Sequence, residues 1–374
     1  MLVQIERAAD YAQRHDRLMV LDTSLSGIQA PFDSLFEWAE TVGPDVVIYT
    51  PQIGEALNSL TSVYPPAMRR GLLAYKTRWN REMGGAVERV TGEFLSFDMA
   101  HDHEAHLLVH HQAGGGVISD RALRRIRLRA DVADEILSRI LPLGRDYDAI
   151  HIRHSDYKTR YWRFLLLLRF VLKDRRVLIC SDNARVKRLA RRVLHPSTTL
   201  ISVSDVPELA GRPLHLTKQD VPHEMNVNLL TDLFSMALSS RLFFTGVAAQ
   251  HSSWRSKLTL WHQRFSGFSR LAERLRTNPD LVVQLLRKAT VCDVDDFVRN
   301  REGQSNPKRA RQIERQDRVN RMLRKNLREP KWLMEDGPLP DDVVSPPRLR
   351  PLYAPSLGKQ GARDGSEAAE ALHN

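Results

Sequence analysis

Two cysteines, Cys180 and Cys292, are all that this chain of 374 residues contains. Neither a disulfide framework nor a cysteine-based zinc site can be built from them, and a reducing, cytoplasmic compartment suits such a sequence. Cys180 stands inside an apolar run and reads as a small buried side chain. Long apolar runs are equally scarce. The longest block, Phe164–Leu168 resuming after Arg169 as Phe170–Leu172, is far short of the roughly 20 residues of a membrane span. The opening MLVQIERAADYAQRHDR carries acids where an export signal would hold a continuous apolar segment, so nothing in it directs secretion. It starts inside an amphipathic helix with no strand before it, and the expectation is that a first strand is missing or lies upstream.

What the chain has in excess is positive charge, a net +11. Such a balance invites a polyanion or an anionic membrane as partner. Its distribution narrows the reading, because ten basic and three acidic residues between Lys308 and Lys331 supply a net +7. The excess therefore belongs mostly to a C-terminal segment. Either that segment is a polyanion-binding element on an α/β scaffold, or it is a solvated charged helix. No specific nucleic-acid partner is expected, and a peripheral contact with the inner face of an anionic membrane through this tail is compatible with a cytoplasmic location.

The length is that of about two domains. Leu2–His15 reads as a helix, Arg17–Asp22 and Asp45–Thr50 as short buried strands, and 51–102 as mixed loops and helices. Ser119 or Asp120 is placed as the cap of one amphipathic helix running to Leu141, with Leu123, Ile126, Val132, Ile136 and Ile140 on its apolar side. Pro142–Arg145 is the expected boundary, giving domains 1–145 and 146–299 and a tail 300–374. The second half alternates cleanly: strand Asp148–Ile152, helix Tyr161–Leu172, strand Arg176–Cys180, helix Ala184–Leu194, strand Thr199–Val203, helix Met225–Ser239, strand Arg241–Thr245. That alternation predicts a parallel, doubly wound sheet. Beyond Asn300 proline and charge dominate, which predicts a basic helical segment and then disorder from about Pro338.

Two features in the first half bear on ligands. His101, His103, His106, His110 and His111 form a histidine-rich run, but strand alternation sends His106 and His110 to one face and His111 to the other. No acid or cysteine completes a ligand set, so ordinary polar positions account for the run and no metal site is assigned. The triplet Gly114–Gly116 serves equally well as a turn or as a close approach of backbone to a ligand.

The densest chemistry lies in DAIHIRHSDYK, Asp148–Lys158. An apolar strand runs into His151, Arg153, His154, Ser155 and Asp156 at its carboxyl end, where open α/β sheets bind ligands. Arg153 offers a planar fork of donors to phosphate oxygens, His151 a hydrogen bond to a base or sugar, and Asp156 a carboxylate for an acceptor hydroxyl. Read without function, the same stretch is a charged surface loop.

Three segments resemble, in order and spacing, those of the fucosyltransferases of the nodulation, core α1,6 and protein O-fucosyl type. HIRHSD at His151–Asp156 is similar to the HxRxxD element, whose arginine holds the β-phosphate of GDP-fucose. LICSDN at Leu178–Asn183 is similar to a strand end that contacts the nucleotide, with Ser181 and Asp182 carried over. TDLFSMALSSRLFFTG at Thr231–Gly246 is similar to the element whose aspartate, here Asp232, approaches guanine. Ser266 and Ser269 in SGFSRLAERL look like a serine-containing helix start that receives phosphate, with Ser252 and Ser253 as the alternative. RAADYAQRHDRLMVLD looks like the helix and strand that follow the family's opening loop, which is absent here.

The resemblance implies two Rossmann-like domains of the glycosyltransferase-B type, with an acceptor-side domain first and a nucleotide-sugar domain second. It implies an enzyme, an inverting transfer of fucose from GDP-fucose to a glycan or glycoconjugate hydroxyl. GDP-fucose is then a donor substrate, and no cofactor is called for. Arg153 and Asp156 take the catalytic roles, Asp156 as the base because no carboxylate occurs at the family's later position. Phosphate charge would be met by arginine and helix-start amides without a metal. A relative that binds the GDP-sugar without turnover is the alternative, supported by the absent opening loop.

Overall fold

The computed structural model describes residues 1–39, 44–80, 82–112, 119–144, 146–154, 159, 161–204, 222–247 and 264–299. The fold mixes helix and strand throughout. Helix α1 (Leu2–Arg14) buries Val3, Ile5, Ala9, Tyr11 and Ala12 along one stripe, the spacing of an amphipathic helix. Strand β1 (Met19–Leu21) follows it and pairs in parallel with β3 (Val46–Ile48), Leu21 opposite Ile48. Between them β2 (Phe36–Trp38) runs antiparallel to the later β8 (Ile126–Leu128). Helix α2 (Pro51–Asn58) begins with proline in its first turn under a Thr50 cap, whose hydroxyl accepts from the Ile53 amide at 3.3 Å. Next come a parallel pair, β4 (Val63–Tyr64) with β7 (Leu107–Leu108), and the hairpin β5 (Thr77–Asn80)–β6 (Gly85–Glu88). Its turn needs Gly84, at φ +61°.

The single helix expected from Ser119 to Leu141 is instead two, α3 (Ser119–Arg124) and α4 (Ala130–Ile140), with β8 between them. Ile126 and Leu128 are both buried and Arg127 lies between them, so the two apolar residues have strand spacing. Pairing with Phe36–Trp38 buries them, and the helical reading had absorbed Ile126 into a period of 3.6.

The second half forms one four-stranded parallel sheet of β9 (Asp148–Ile152), β10 (Arg176–Ser181), β11 (Thr199–Ile201) and β12 (Arg241–Phe244), in the spatial order β11-β10-β9-β12. All five residues of β9 are buried, as an inner strand covered on both faces requires. One face carries Ile150, Ile152, Val177, Ile179 and Phe243 and packs on α5 (Tyr161–Val171) and α6 (Ala184–Val193). The opposite face carries Ala149, Leu178, Cys180 and Leu242 under α7 (Pro222–Ala237) and α8 (Gly267–Thr277). That second core continues without a break through Ile136 and Ile140 of α4 to Ile5 and Ala9 of α1, and to α9 (Pro279–Leu286) and α10 (Val294–Arg299). Residues from 300 onward, including the basic segment, lie outside the described residues.

The amino end of the sheet is closed by charge. Asp148, fully buried, accepts from Arg241 Nε at 2.9 Å and Nη2 at 2.5 Å and from Arg175 Nε at 3.0 Å. A buried carboxylate with two guanidinium partners is satisfied, whereas one stripped of them would cost about 3–5 kcal/mol. Beside it the Tyr147 hydroxyl donates to Ser235 O at 2.6 Å, tying β9 to α7.

Candidate functional site

The four strands appear in the chain as β9, β10, β11, β12 but stand in the order third, second, first, fourth, so the winding reverses between β9 and β12. In sheets with such a reversal, ligands bind at the carboxyl ends of the strands on either side of it. Arg153 and His154 follow β9 directly, Asp182 follows β10, and Thr245 follows β12.

Hydrogen bonds hold these ends together. Ser181 Oγ donates to Ile152 O at 2.7 Å, across the register pair that ends the two strands. Asp182 Oδ1 accepts the His154 amide at 2.7 Å. Asn183 caps α6, its side chain accepting from the Arg185 amide at 2.9 Å. His154 Nδ1 sits 3.1 Å from Thr159 Oγ1, and its ring meets Tyr161 edge-on at 4.5 Å. Ser181 and Asp182 thus shape the turn that carries Arg153.

His151 points to the other face. Its Nδ1 lies 2.6 Å from Ser269 Oγ in the first turn of α8, and its ring packs 5.4 Å from that of Phe268. Burial pushes the imidazole down to about 4; Asp182 pulls the other way and Arg153 adds to the lowering. At neutral pH the ring is neutral and can both donate and accept. Arg153, half-buried, lies close enough for its charge to act on His151.

The start of α8 carries a buried hydroxyl beside a glycine. Ser266 occupies the cap position yet makes no side-chain cap bond, and its buried Oγ has no hydrogen-bond partner among the described residues. Next to it, a β-carbon built on Gly267 would meet none of the described residues within 4 Å. The first amides of a helix and its dipole favour an anion, and here there is room for one.

Asp232 of α7 lies on the same face of the sheet as His151. It adjoins Cys180, which is the β10 register partner of His151. Burial pushes its carboxyl up to about 6, against the pull of Lys187, and burial raises the Cys180 thiol well above its ordinary value. The ammonium of Lys187 is held 2.8 Å from both Ser202 Oγ and Ser204 O. Ser204 and Cys180 lie against the Asp232 carboxyl, yet among the described residues its Oδ1, like Ser266 Oγ and Thr245 Oγ1, is buried without a hydrogen-bond partner of good geometry. An unsatisfied buried polar group costs about 1–3 kcal/mol, and Asp232, Thr245 and Ser266 bring three such atoms to the side of the sheet that holds His151. Among the described residues Ser204 Oγ and Ser235 Oγ are in the same state, and so are ring or guanidinium nitrogens of His15 and Arg127 in the first half.

The site therefore gathers His151, Arg153, Ser181, Asp182, Ser266 and Ser269, with Asp232 one strand away. Asp156, Ser252 and Ser253 lie outside the described residues, as do the three glycines 114–116. Sequence reasoning missed Thr245, whose amide donates to His151 O at 3.3 Å, and Lys187. For Thr245 the available signal was its position one residue past a parallel strand.

Elsewhere, His110 lies between Ser96 Oγ at 2.7 Å and Gln4 Oε1 at 2.9 Å, and burial pushes it down to about 3. His111 Nδ1 meets the Tyr75 hydroxyl at 2.8 Å, and His103 Nε2 meets Asp98 O at 2.9 Å. The histidine run is spread over separate partners. Two Asp-x-Asp spacings do occur in the chain, at Asp146/Asp148 and Asp293/Asp295. Asp148 is taken up by Arg241 and Arg175, Asp293 accepts the Asp296 amide at 3.0 Å, and Asp295 pairs with Arg299.

No family model matches the sequence, and no curated protein matches it. Solved structures of the fucosyltransferase NodZ are similar to it. NodZ from Bradyrhizobium shares 17% identity at a TM-score of 0.43, with 73% of this chain and 88% of that chain covered. NodZ alpha-1,6-fucosyltransferase soaked with GDP-fucose shares 17% at a TM-score of 0.41, covering 73% of this chain and 87% of that one. Among the described residues no helix is long and apolar enough to cross a membrane.

Proposed function

We infer that the chain is a glycosyltransferase that moves fucose from GDP-fucose to a glycan or glycoconjugate hydroxyl with inversion. One observation carries the reading: residues singled out in separate sequence segments, His151, Arg153, Asp182, Asp232 and Ser269, come to one sheet end around an open helix start. In this reading the diphosphate lies between Arg153 and the first amides of α8, with Ser266 Oγ donating to it. Neutral His151, braced by Ser269, faces the nucleotide. The buried Asp232 carboxyl meets the donor edge of guanine.

The acceptor oxygen attacks the anomeric carbon, the bond from that carbon to the phosphate oxygen breaks, and GDP leaves with the electron pair. Asp156 takes the hydroxyl proton. Arginine and helix-start donors stabilise the leaving charge, so transfer proceeds without added divalent metal. Residues 1–145 form the acceptor-side half and 146–299 the donor half of a glycosyltransferase-B arrangement. The protein works in the cytoplasm, with the basic tail free to touch the inner face of a membrane.

Calorimetric titration with GDP, UDP and ADP tests the reading. GDP should bind in preference, with EDTA making no difference, and donor turnover should follow with a suitable glycan. Preference for UDP or ADP, or binding restored only by Mg²⁺ or Mn²⁺, would overturn it.

A further inference from the structure

Helix α5 is apolar on nearly every side, YWRFLLLLRFV, yet the described residues cover only one side of it. Leu165, Leu168 and Leu172 are buried against the sheet, while Trp162, Leu166, Leu167, Phe170 and Val171 face outward, with Leu167 and Phe170 each 76% exposed. Helices of water-soluble folds place polar residues on such a face, and a contiguous apolar surface of this kind marks an interaction site. Its neighbour α6 covers the same face of the sheet. There five of ten residues, Arg185, Lys187, Arg188, Arg191 and Arg192, are basic and none is acidic. Arg185, Arg191 and Arg192 are exposed, and Arg169 Nη1 donates to Val193 O at 2.9 Å to fasten the two helices together. At the start of α5 the exposed Arg163 guanidinium stacks over the Trp162 ring, 5.0 Å from its centroid.

The outer layer of this half is thus an apolar ridge beside a cationic ridge. We propose that α5 and α6 form a docking face for the surface of an anionic lipid bilayer, α5 entering the acyl boundary and α6 meeting the headgroups. Charge selects this occupant. A second copy docked symmetrically through α5 would set one α6 beside another, cation against cation. The chain's own segment between Lys308 and Lys331, at a net +7, is repelled for the same reason. A single convex ridge of Trp, Leu and Phe flanked by arginine is what an interfacial helix presents, and a fluid bilayer demands no matching groove. The inference stands apart from the transferase reading, because it uses neither the sheet end nor the basic tail.

The test is sedimentation of the full-length protein with vesicles of phosphatidylcholine alone or of equal parts phosphatidylcholine and phosphatidylglycerol. Binding to the mixed vesicles only is expected, weakening as salt rises. Leu167→Glu and Phe170→Glu, both at exposed positions, should each reduce partitioning about tenfold or more. Arg191→Gln with Arg192→Gln should reduce it roughly tenfold or more. Circular dichroism and the thermal midpoint confirm that each variant is folded. A variant truncated before Lys308 should still bind. The proposal is overturned if wild type ignores the mixed vesicles, or if the α5 variants bind as wild type does. It is equally overturned if only the truncation abolishes binding, or if the α5 substitutions instead dissolve a dimer seen without lipid.

Discussion

His151 Nδ1 and Ser269 Oγ, 118 positions apart in sequence, meet at 2.6 Å inside the core. This bond joins the strand that leads into Arg153 to the first turn of the helix that begins at Gly267, so the two halves of the proposed anion site are set against each other by one buried contact.

Because burial holds His151 down to about 4, against about 6.5 in an unfolded chain, the unfolded state takes up the proton first. The stability it contributes is complete above about pH 6.5 and is lost as pH falls toward 4, on the order of 3 kcal/mol in all. His110, pushed down to about 3, acts in the same direction over a window reaching lower. Urea unfolding of wild type at pH 7 and pH 4.5 should show this loss, and His151→Gln should flatten it by about half. An unchanged pH slope in the variant would place His151 in an environment open to water.

Asp232 acts with the opposite sign. Its carboxyl is raised to about 6 by burial, so the folded state keeps a proton that the unfolded chain gives up, and stability falls as pH climbs from about 4 to 6. Asp232→Asn should therefore raise stability at pH 7 by about 1–3 kcal/mol while removing the preference for GDP over ADP. Thermal midpoints and paired nucleotide titrations check both halves. A variant that loses stability, or keeps its guanine preference, contradicts the assignment.

Gly267 separates binding from folding. A side chain there meets open space, so Gly267→Leu should leave the thermal midpoint nearly unchanged. If the diphosphate rests on the start of α8, the same change should weaken GDP about tenfold or more, the equivalent of a charge-assisted hydrogen bond. Full affinity in this variant would move the phosphates elsewhere.

Arg153→Lys keeps the charge and removes the planar fork. Donor turnover should fall roughly ten- to a hundredfold, with the thermal midpoint hardly moved. Asp156→Asn should leave GDP affinity nearly intact and slow only the chemical step. Wild-type affinity and turnover in the first variant, together with lost nucleotide binding in the second, would reverse the two roles.

The strand Asp148–Ile152 and its partners were legible in the sequence because a buried parallel strand is a short, mostly apolar run. The helices between them announce themselves by length and period. The place of His151 and Arg153 was legible too, since an apolar strand running into polar residues carries them to the carboxyl edge of its sheet. Tertiary structure alone decided the rest. Ile126 and Leu128 became a strand because Phe36–Trp38 lay ready to pair with them, a non-local choice that local periodicity cannot record. Ser181 and Asp182 proved to brace a turn, through bonds to the end of a neighbouring strand whose register no local pattern specifies. The exposed ridge of α5 reads in sequence as ordinary core. Burial is a property of what packs against a residue, and only the folded chain shows that nothing in the sheet reaches Leu167 or Phe170.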